Sequence, residues 1–563
     1  MEKHLTLART QLFLISLVFL AQTFLVLPTL LYLTNSDEFT FSLATHLGYL
    51  APVLLISLLS LLIPALFRSY AGRILLGACC AVAVQSSFLV RDYGIFDGGA
   101  LDGERHALAY WIDFTAWIIA LASPWVFFRS SVRYALPIAG ALLLFQSAAL
   151  MPYLSQLPSA LLKSTDQSSL NTMYDLSKDE NIVVIVLDAF QSPLFNEILS
   201  SDPQLKESFA GFTYFKNTTS SFPSTLPSVP SFLSGHSFDG STSLKSYFTE
   251  TVAKKALPVV LQKSGYTSTV ATLRGFCAYL PGITCADSAL FASTSRTRYQ
   301  LLETAELLDL TLFRIAPHAA KMQLYNNGAW TMQPLLKEFK TVSGPQRGED
   351  RSLILAEQFS EHATATSNKP TFKFIHLLIP HAPMRFTRDC NFTKQYPQMN
   401  RASMLEQSRC AIKAAMLIIS KMKELSAFDT STIVIMADHG NKVKTLPRPS
   451  GVTLPYQRIE MALPLLLIKP KHSNAPLITS NVPATLSDIP KTIADTLRLT
   501  ESYPGYNLLS SAEIPSDRVR SYSTFTYRWG AWKDTDTSSS LGAFEQYHIH
   551  GDSWLPESWQ KAP

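Results

Sequence analysis

At 563 residues the chain is too long for one ordinary domain, and 47% hydrophobic against 16% charged residues is too apolar for a uniformly soluble protein. The net charge of +5 is modest, and without a long basic block or an aromatic-interleaved basic patch the sequence argues against nucleic acid as a partner.

The apolar excess is local. Before about Ser155 five runs approach the roughly 20 residues a helix needs to cross a bilayer: Gln11–Leu33, Leu47–Phe67, Ile74–Val90, Ile112–Phe128 and Tyr134–Leu154. The third is short and contains Gln85. A cleavable signal peptide explains the first run poorly, because no small-residue cleavage site follows it and further apolar runs do. Lys3 and Arg9 precede the first run, Arg68 and Arg73 fill the second connection, and Arg129 and Arg133 the fourth. Asp37 and Glu38 occupy the first connection, and Asp92, Asp97, Asp102 and Glu104 the third, beside two arginines. Cytoplasmic loops are the ones enriched in Lys and Arg, so five crossings with an inner N-terminus place everything after Leu154 outside. In a bacterium this is an inner-membrane, multi-pass protein with a periplasmic or extracytoplasmic domain.

The domains expected are a transmembrane region at 1–154, a polar linker or juxtamembrane segment at 155–180, and a catalytic-type domain at 181–563. Cys79 and Cys80 fall inside the third apolar run and read as small membrane residues. Cys277 with Cys285 and Cys390 with Cys410 form two locally spaced pairs, which suits disulfides in an oxidising compartment.

In the exported part, "NIVVIVLD" carries an apolar, β-branched run from Ile182 to Leu187, the pattern of a strand buried on both faces. "FKFIHLLI" (Phe372–Ile379), "STIVIMAD" (Ser431–Asp438) and "LPLLLIKP" (Leu463–Pro470) have the same character, with helical segments such as Ser403–Leu425 between them. Strands alternating with helices predict a three-layer α/β domain with a mostly parallel sheet.

Functional residues of such sheets collect at the carboxyl ends of the strands. That rule selects Asp188, His381 in "IPHAP", and Asp438–His439–Gly440. Each has a bland reading: Asp188 as a helix N-cap, His376 as a packed strand histidine, His381 as a turn residue. Asp438 and His439 are the sharpest pair, because two ionisable groups buried together cost free energy unless paired or bound to metal. Two aspartates, a histidine and a hydroxyl oxygen make a ligand set for zinc or manganese. The stiff stretch "FPSTLPSVPSFLSG", Phe222–Gly235, crowds hydroxyls between prolines and reads either as a surface turn or as the holder of a nucleophilic hydroxyl.

Taken in order, "VIVLDAF", "FPSTLPSVPSFLSG", "FIHLLIPHAP" and "VIMADHGNK" resemble the alkaline phosphatase superfamily, in its sulfatase-like, membrane-anchored branch. That branch includes phosphoethanolamine transferases and lipoteichoic acid synthases, both with five membrane helices before an extracytoplasmic domain. "VPATLSDIPKTIADTLRL" followed by "GYNLL" resembles the ending of the same fold. The resemblance implies that Thr225 is the nucleophile, with Ser224 the neighbouring alternative and Ser228 a structural hydroxyl. It implies one metal site from Asp188, Thr225, Asp438 and His439. His381 is then a phosphate contact, a leaving-group donor or a ligand of a second metal, and His376 a weaker candidate for that second site.

The implied activity is a membrane phosphotransferase. It takes a phosphoethanolamine or phosphoglycerol head group from a phospholipid donor in the bilayer, through a phosphothreonine, to an envelope glycan or lipid acceptor. The alternative is a membrane-anchored phosphodiesterase or phosphatase using water, and a non-catalytic envelope protein is a third reading. Two departures bear on the choice. The transferases usually have Glu at the position of Asp188, and the Cys-x-Pro-x-Arg sequence that sulfatases convert to formylglycine is absent around Thr225. His236, Arg385, Lys442, Lys444, His548 and His550 receive no role from the sequence.

Overall fold

The computed structural model describes residues 14–15, 17–36, 39–62, 68–91, 93, 96, 101, 107–163, 168–272, 277, 279–286, 296–332, 351–393, 397–447, 456–525 and 544–562. Lys3, Arg9, Asp37, Glu38, Asp92, Asp97, Asp102 and Glu104, used above to orient the chain, lie outside the described residues. The chain divides into two compact units, Met1–Thr165 with Thr294–Ser343, and Asp166–Ser293 with Gly344–Pro563. The segment Thr294–Ser343 thus joins the N-terminal unit, although the sequence boundaries assign it to the catalytic domain.

In the first unit, helix α1 (Leu17–Thr34) is, among the described residues, the one helix long and apolar enough to cross a bilayer. Helices α2 (Leu43–Leu62), α3 (Arg68–Ser87) and α4 (Ala107–Ala148) follow. The fourth and fifth predicted runs are therefore not two helices. They form one continuous helix of 42 residues, about 63 Å at 1.5 Å per residue and roughly twice a bilayer core. The reason is local: the intervening "RSSVR" contains neither Gly nor Pro, so nothing in it stops helix propagation. Pro124 and Pro137 sit inside the helix rather than at its ends. Gln85 is buried because it bonds within the unit, donating to Asp113 Oδ2 at 3.1 Å and accepting from Trp117 Nε1 at 3.0 Å.

The helix Arg296–Ile315, from the inserted segment, packs on α1, α2 and α3. It is held by polar contacts, Thr304 Oγ1 to His46 Nδ1 at 2.9 Å and Tyr49 Oη to Gln300 Oε1 at 3.1 Å. The expected linker is largely structured, with turns of helix at Met151–Gln156, Leu157–Leu161 and Ser168–Tyr174. Asp175–Ser177 then pairs in parallel with Thr364–Ser367.

The second unit is built on an eight-stranded sheet. Its strands are β1 (Asn181–Leu187), β2 (Thr213–Phe215), β3 (Thr267–Ala271), β4 (Thr284–Cys285), β5 (Thr371–Leu377), β6 (Ser431–Met436), β7 (Leu466–Lys469) and β8 (Ile478–Ser480), in spatial order β8-β2-β7-β6-β1-β5-β3-β4. From β6 to β4 every pairing is parallel, whereas β7 runs antiparallel to both its neighbours. All seven residues of β1 are buried. Val183, Ile185 and Leu187 enter one core with Met404, Ala411, Ile418 and Met422 of the helix Arg401–Glu424. Ile182, Val184 and Val186 enter the other with Val229, Phe232, Ile489 and Ile493. Burial of such side chains is worth about 1.5–3 kcal/mol each, which is why an unbroken β-branched run is stable only with helices on both faces. This is the three-layer arrangement expected.

Both predicted cysteine pairs are disulfides, Cys277–Cys285 and Cys390–Cys410, and Cys79 and Cys80 are free thiols in α3. "YHIHGDSW" contributes to a separate three-stranded antiparallel sheet, where His548 faces Ser521 and Gln560 and His550 faces Val519 across the ladder.

Candidate active site

Asp188 follows the last residue of β1, and Asp438 lies two residues past β6 on the adjacent strand. Parallel pairing puts both carboxyl ends on the same edge of the sheet. Asp188 N–H donates to the Leu377 carbonyl at 3.0 Å, so the β5 neighbour fixes where that aspartate leaves the sheet. Ala189 then takes a left-handed φ of 59°, and its N–H donates to Asp438 Oδ1 at 3.1 Å. A non-glycine residue in that region is held only by its surroundings, here the second aspartate of the site. Gly440 is required sterically, since a Cβ there would stand 2.1 Å from the Glu460 carbonyl oxygen.

Asp188, Asp438 and His439 are all buried and offer ligand atoms within 4.8 Å of one another. His439 Nε2 lies 3.4 Å from Asp438 Oδ2, 3.8 Å from Asp188 Oδ1 and 3.3 Å from Thr225 Oγ1. Its other nitrogen, Nδ1, sits 2.6 Å from the Gly440 carbonyl oxygen. A carbonyl only accepts, so Nδ1 carries the proton and the Nε2 lone pair faces Thr225 and the two aspartates.

Two carboxylate oxygens, Asp188 Oδ1 and Asp438 Oδ2, are buried and receive no hydrogen bond among the described residues. Leaving one such oxygen unmet costs about 1–3 kcal/mol, and more for a charged group. Two of them beside one imidazole lone pair and a hydroxyl are the donor set of a divalent cation. The residues present therefore fit such an ion.

Thr225 is the first residue of helix α5 (Thr225–Ser234), with Ser224 as its N-cap. The unpaired N–H groups and positive dipole end of that helix favour negative charge beside the threonine. Ser228 Oγ donates to the Asp438 carbonyl at 2.5 Å, tying α5 to the turn that carries Asp438 and His439. The hydroxyl that contacts His439 is that of Thr225.

His376 and His381 flank this group. His376 Nε2 lies 3.2 Å from Asp188 Oδ2, and its Nδ1 lies 3.1 Å from Thr272 Oγ1. His381 is half-buried in a turn between the cis prolyl bonds Ile379–Pro380 and Ala382–Pro383, its ring 6.4 Å from that of His439. Burial alone pushes the Asp188 carboxyl up, but His381, His376 and His439 outweigh it and hold the group below the usual carboxylate range. For His376, burial pulls downward and the Asp188 carboxylate prevails, raising the imidazole above its ordinary value.

The structure thus brings together Asp188, Thr225, Asp438, His439, His376 and His381. His236 follows the end of α5, where its Nδ1 meets the Ser234 carbonyl at 2.8 Å, and Lys442 and Lys444 are exposed. Three supporting residues escaped the sequence reading: Thr272 behind His376, Gln407 behind the His381 turn, and Glu460 beneath the turn after Asp438. Glu460 accepts from Thr445 N–H at 2.6 Å, Leu446 N–H at 3.0 Å and Gln191 Nε2 at 2.7 Å. Gln407 was legible in principle, because it interrupts the apolar face Met404–Ala411–Ala415 of a long helix.

The family model described as Sulfatase matches residues 180–499. No curated protein matches the chain. Among solved structures, one of a protein in the alkaline phosphatase superfamily from Vibrio parahaemolyticus is 11% identical, with 69% of this chain and 83% of that chain covered at a TM-score of 0.40. A phosphonate monoester hydrolase from Silicibacter pomeroyi is 14% identical over 66% of this chain and 87% of that one, with a TM-score of 0.40. That of Agrobacterium radiobacter is 12% identical over 68% and 88%, again at 0.40.

Proposed function

Because this chain belongs to the sulfatase family, within the alkaline phosphatase superfamily, we propose that it is a metal-dependent phosphotransferase whose nucleophile is Thr225. Its substrate is a phosphoethanolamine- or phosphoglycerol-type head group, taken from a membrane phospholipid and delivered to an envelope glycan or lipid. The observation that carries this reading is the Thr225 hydroxyl 3.3 Å from His439 Nε2, beside the two unmet carboxylate oxygens of Asp188 and Asp438. A threonine at this place, with no cysteine to convert, favours phosphoryl over sulfuryl chemistry.

Asp188, Asp438 and His439 would hold the ion, with Thr225 completing the set. When bound, a divalent cation supplies charge neutralisation at the phosphoryl oxygens and lowers the pKa of the threonine hydroxyl. Thr225 Oγ1 attacks phosphorus, an Oγ1–P bond forms, and the P–O bond to diacylglycerol breaks. The departing alkoxide takes its proton from His381. The acceptor hydroxyl then attacks phosphorus, returns a proton to His381, and the Oγ1–P bond breaks. The α5 N-terminus stabilises the phosphothreonine charge.

The membrane setting is part of the proposal: an inner-membrane, multi-pass anchor with the second unit outside the cytoplasm. Supporting it are α1 and the apolar surface of α4, where Leu108, Trp111, Val126 and Leu144 are all exposed. The two disulfides agree with an oxidising compartment. A second reading, hydrolysis with water as acceptor, is favoured by Asp188 standing where the transferases carry Glu.

Intact-protein and peptide mass spectrometry of the protein from its own membranes tests the assignment. A head-group-sized adduct on Thr225, absent in Thr225→Ala, identifies both nucleophile and donor. An adduct on Ser224 or elsewhere overturns it.

A further inference from the structure

The turn that carries His381 is unusual in how little it can do for itself. Of the five residues Pro380–Met384, two are prolines without an N–H, so the backbone has few donors with which to brace its own carbonyls. Those carbonyls converge instead on one side chain. Gln407 Nε2 lies 2.8 Å from the His381 carbonyl oxygen, 3.1 Å from that of Pro380 and 3.3 Å from that of Pro383. The opposite end of the same amide, Oε1, accepts the N–H groups of Arg385 at 2.6 Å and Phe386 at 3.1 Å.

Gln407 is fully buried, and it sits in α6 (Arg401–Glu424) on the face that packs into the core beneath the sheet. A buried amide is costly unless satisfied. Here both its oxygen and its nitrogen are satisfied by one loop, and by no other element among its described hydrogen bonds. One turn further along α6, Cys410 ties the same loop through Cys390. The exposed pair Lys413–Asp389 does so again at 2.5 Å. The outer part of the loop also closes on itself, Thr387 N–H to the Asn391 carbonyl at 3.0 Å and Thr393 N–H to the Arg385 carbonyl at 2.8 Å. The inner part, with His381, is where Gln407 acts.

The imidazole is oriented from the same place. His381 Nδ1 lies 2.7 Å from the Ala382 carbonyl oxygen, so Nδ1 is the protonated nitrogen and Nε2 the one that exchanges a proton. The position of the Ala382 carbonyl depends on the peptide planes either side of it, whose own carbonyls are those held by Gln407.

We propose that Gln407 is a positioning residue: it sets the height and orientation of His381 over the metal-ligating group by clamping the backbone on both sides of that histidine. The proposal rests on the reading of His381 as the proton donor and acceptor of transfer.

A double-mutant cycle tests it, with diacylglycerol release from phosphatidylethanolamine and from phosphatidylglycerol in detergent micelles as the rate. Gln407→Met keeps the length of the side chain and removes every polar contact. It lowers kcat about 10- to 100-fold, the range found when a group orienting a site residue is removed, with little change in KM. In a His381→Ala background the same substitution costs less than about 2-fold, because the group it positions is gone. A full loss repeated in that background overturns the proposal and makes Gln407 a general structural residue. If His381→Ala slows the reaction and Gln407→Met does not, the Gln407 proposal alone fails. If His381→Ala leaves the rate unchanged, the reading of His381 fails and takes the proposal with it. Should Gln407→Met not fold, Gln407→Glu serves in the same cycle, since an ionised carboxylate accepts from Arg385 and Phe386 but donates to none of the three carbonyls.

Discussion

Buried carboxylates occur in both units, and the two units treat them differently. In the N-terminal unit Glu303 accepts the N–H groups of Thr40 at 2.6 Å and Phe41 at 2.9 Å, and lies 3.3 Å from His46 Nε2. Asp113 Oδ1, which accepts no hydrogen bond among the described residues, is neutralised by the Arg91 guanidinium at 2.6 Å, and Oδ2 accepts the His318 N–H at 2.9 Å. Asp309 accepts the N–H groups of Thr331 and Met332 at 3.1 and 2.9 Å. In the catalytic unit Asp188 and Asp438 each keep one oxygen without a hydrogen-bond donor among the described residues. Nor is this a property of the catalytic unit at large. Asp488, in the same unit, accepts from Thr485 and Tyr506 N–H and takes Arg518 bidentately at 2.7 and 2.8 Å. Equal burial therefore conceals a difference: in Glu303, Asp113, Asp309 and Asp488 each carboxylate oxygen meets an N–H donor or a guanidinium, whereas Asp188 and Asp438 each leave one oxygen with no cationic side chain, among the described residues, nearer than the His439 imidazole.

The comparison breaks first at the site. Thr225→Ala and Asp438→Asn are each expected to lower turnover by at least about 10³-fold, as loss of a nucleophile or its activating group does elsewhere. Asp438 Oδ1 accepts the N–H groups of Ala189 at 3.1 Å and His439 at 3.0 Å, and Asp438→Asn retains an oxygen for both, so in chelator it should melt no lower than wild type. Relief of the charge facing Asp188 works in its favour. A large drop in melting temperature in chelator would mean that Asp438 is there to fasten segments together.

Metal removal sharpens the same point. Chelation should abolish activity and lower the melting temperature of the wild type, and zinc or manganese should restore both. Stabilisation by a bound ion follows mass action, so the thermal shift should vanish in Asp438→Asn. A shift of undiminished size in that variant would place the ion elsewhere.

Glu303→Ala is the matching test in the other unit. It strands two buried backbone N–H groups and the His46 ring, and each donor left unmet costs about 1–3 kcal/mol. Hydrogen exchange should rise around Thr40 and Phe41 and along Arg296–Ile315, while the chelator-dependent thermal shift persists. Loss of that shift would erase the distinction between the two kinds of carboxylate.

How much of this was readable from sequence differs by feature. The strands β1, β5, β6 and β7 are apolar runs whose burial on both faces leaves no alternative pattern. The aspartates and histidines at their ends were legible because strand ends are where a parallel sheet exposes chemistry. β2, β4 and β8 were missed because two or three residues carry no periodicity, and β3, "TSTVA", is as hydroxyl-rich as a turn. The joining of the last two apolar runs into α4 turned on the absence of a breaker, against which the arginines Arg129 and Arg133 argued for a loop. That Arg296–Ile315 packs with α1–α3 was not legible, since an amphipathic helix records that it has a buried face but not which unit covers it. Gln407 was legible only in part: a polar residue in the apolar face of a long helix signals a buried partner, but its partners are backbone atoms, which sequence does not name.

The smallest expected effect concerns a buried cation. Lys373 on β5 is fully buried, and its ammonium donates to the Thr172 carbonyl. Burial pushes its pKa down to about 7, against the opposing pull of Asp175. A lysine whose folded pKa lies below its unfolded value of 10.5 binds fewer protons when folded. Its contribution to stability is therefore fully present above about pH 10.5 and is lost as the pH falls toward 7. Lys373→Met should then stabilise the catalytic unit near pH 7 by about 3 kcal/mol, the linkage term less about 1 kcal/mol for the Thr172 hydrogen bond. The gain should shrink steadily between pH 7 and pH 10, with turnover unchanged. Thermal unfolding of both proteins across that range is the measurement. A gain independent of pH would mean that the amine is already neutral, or paired, throughout. The predicted slope would instead show that an ill-matched buried charge can be a plain cost of packing, so that what singles out Asp188 and Asp438 is their convergence on one imidazole and one hydroxyl.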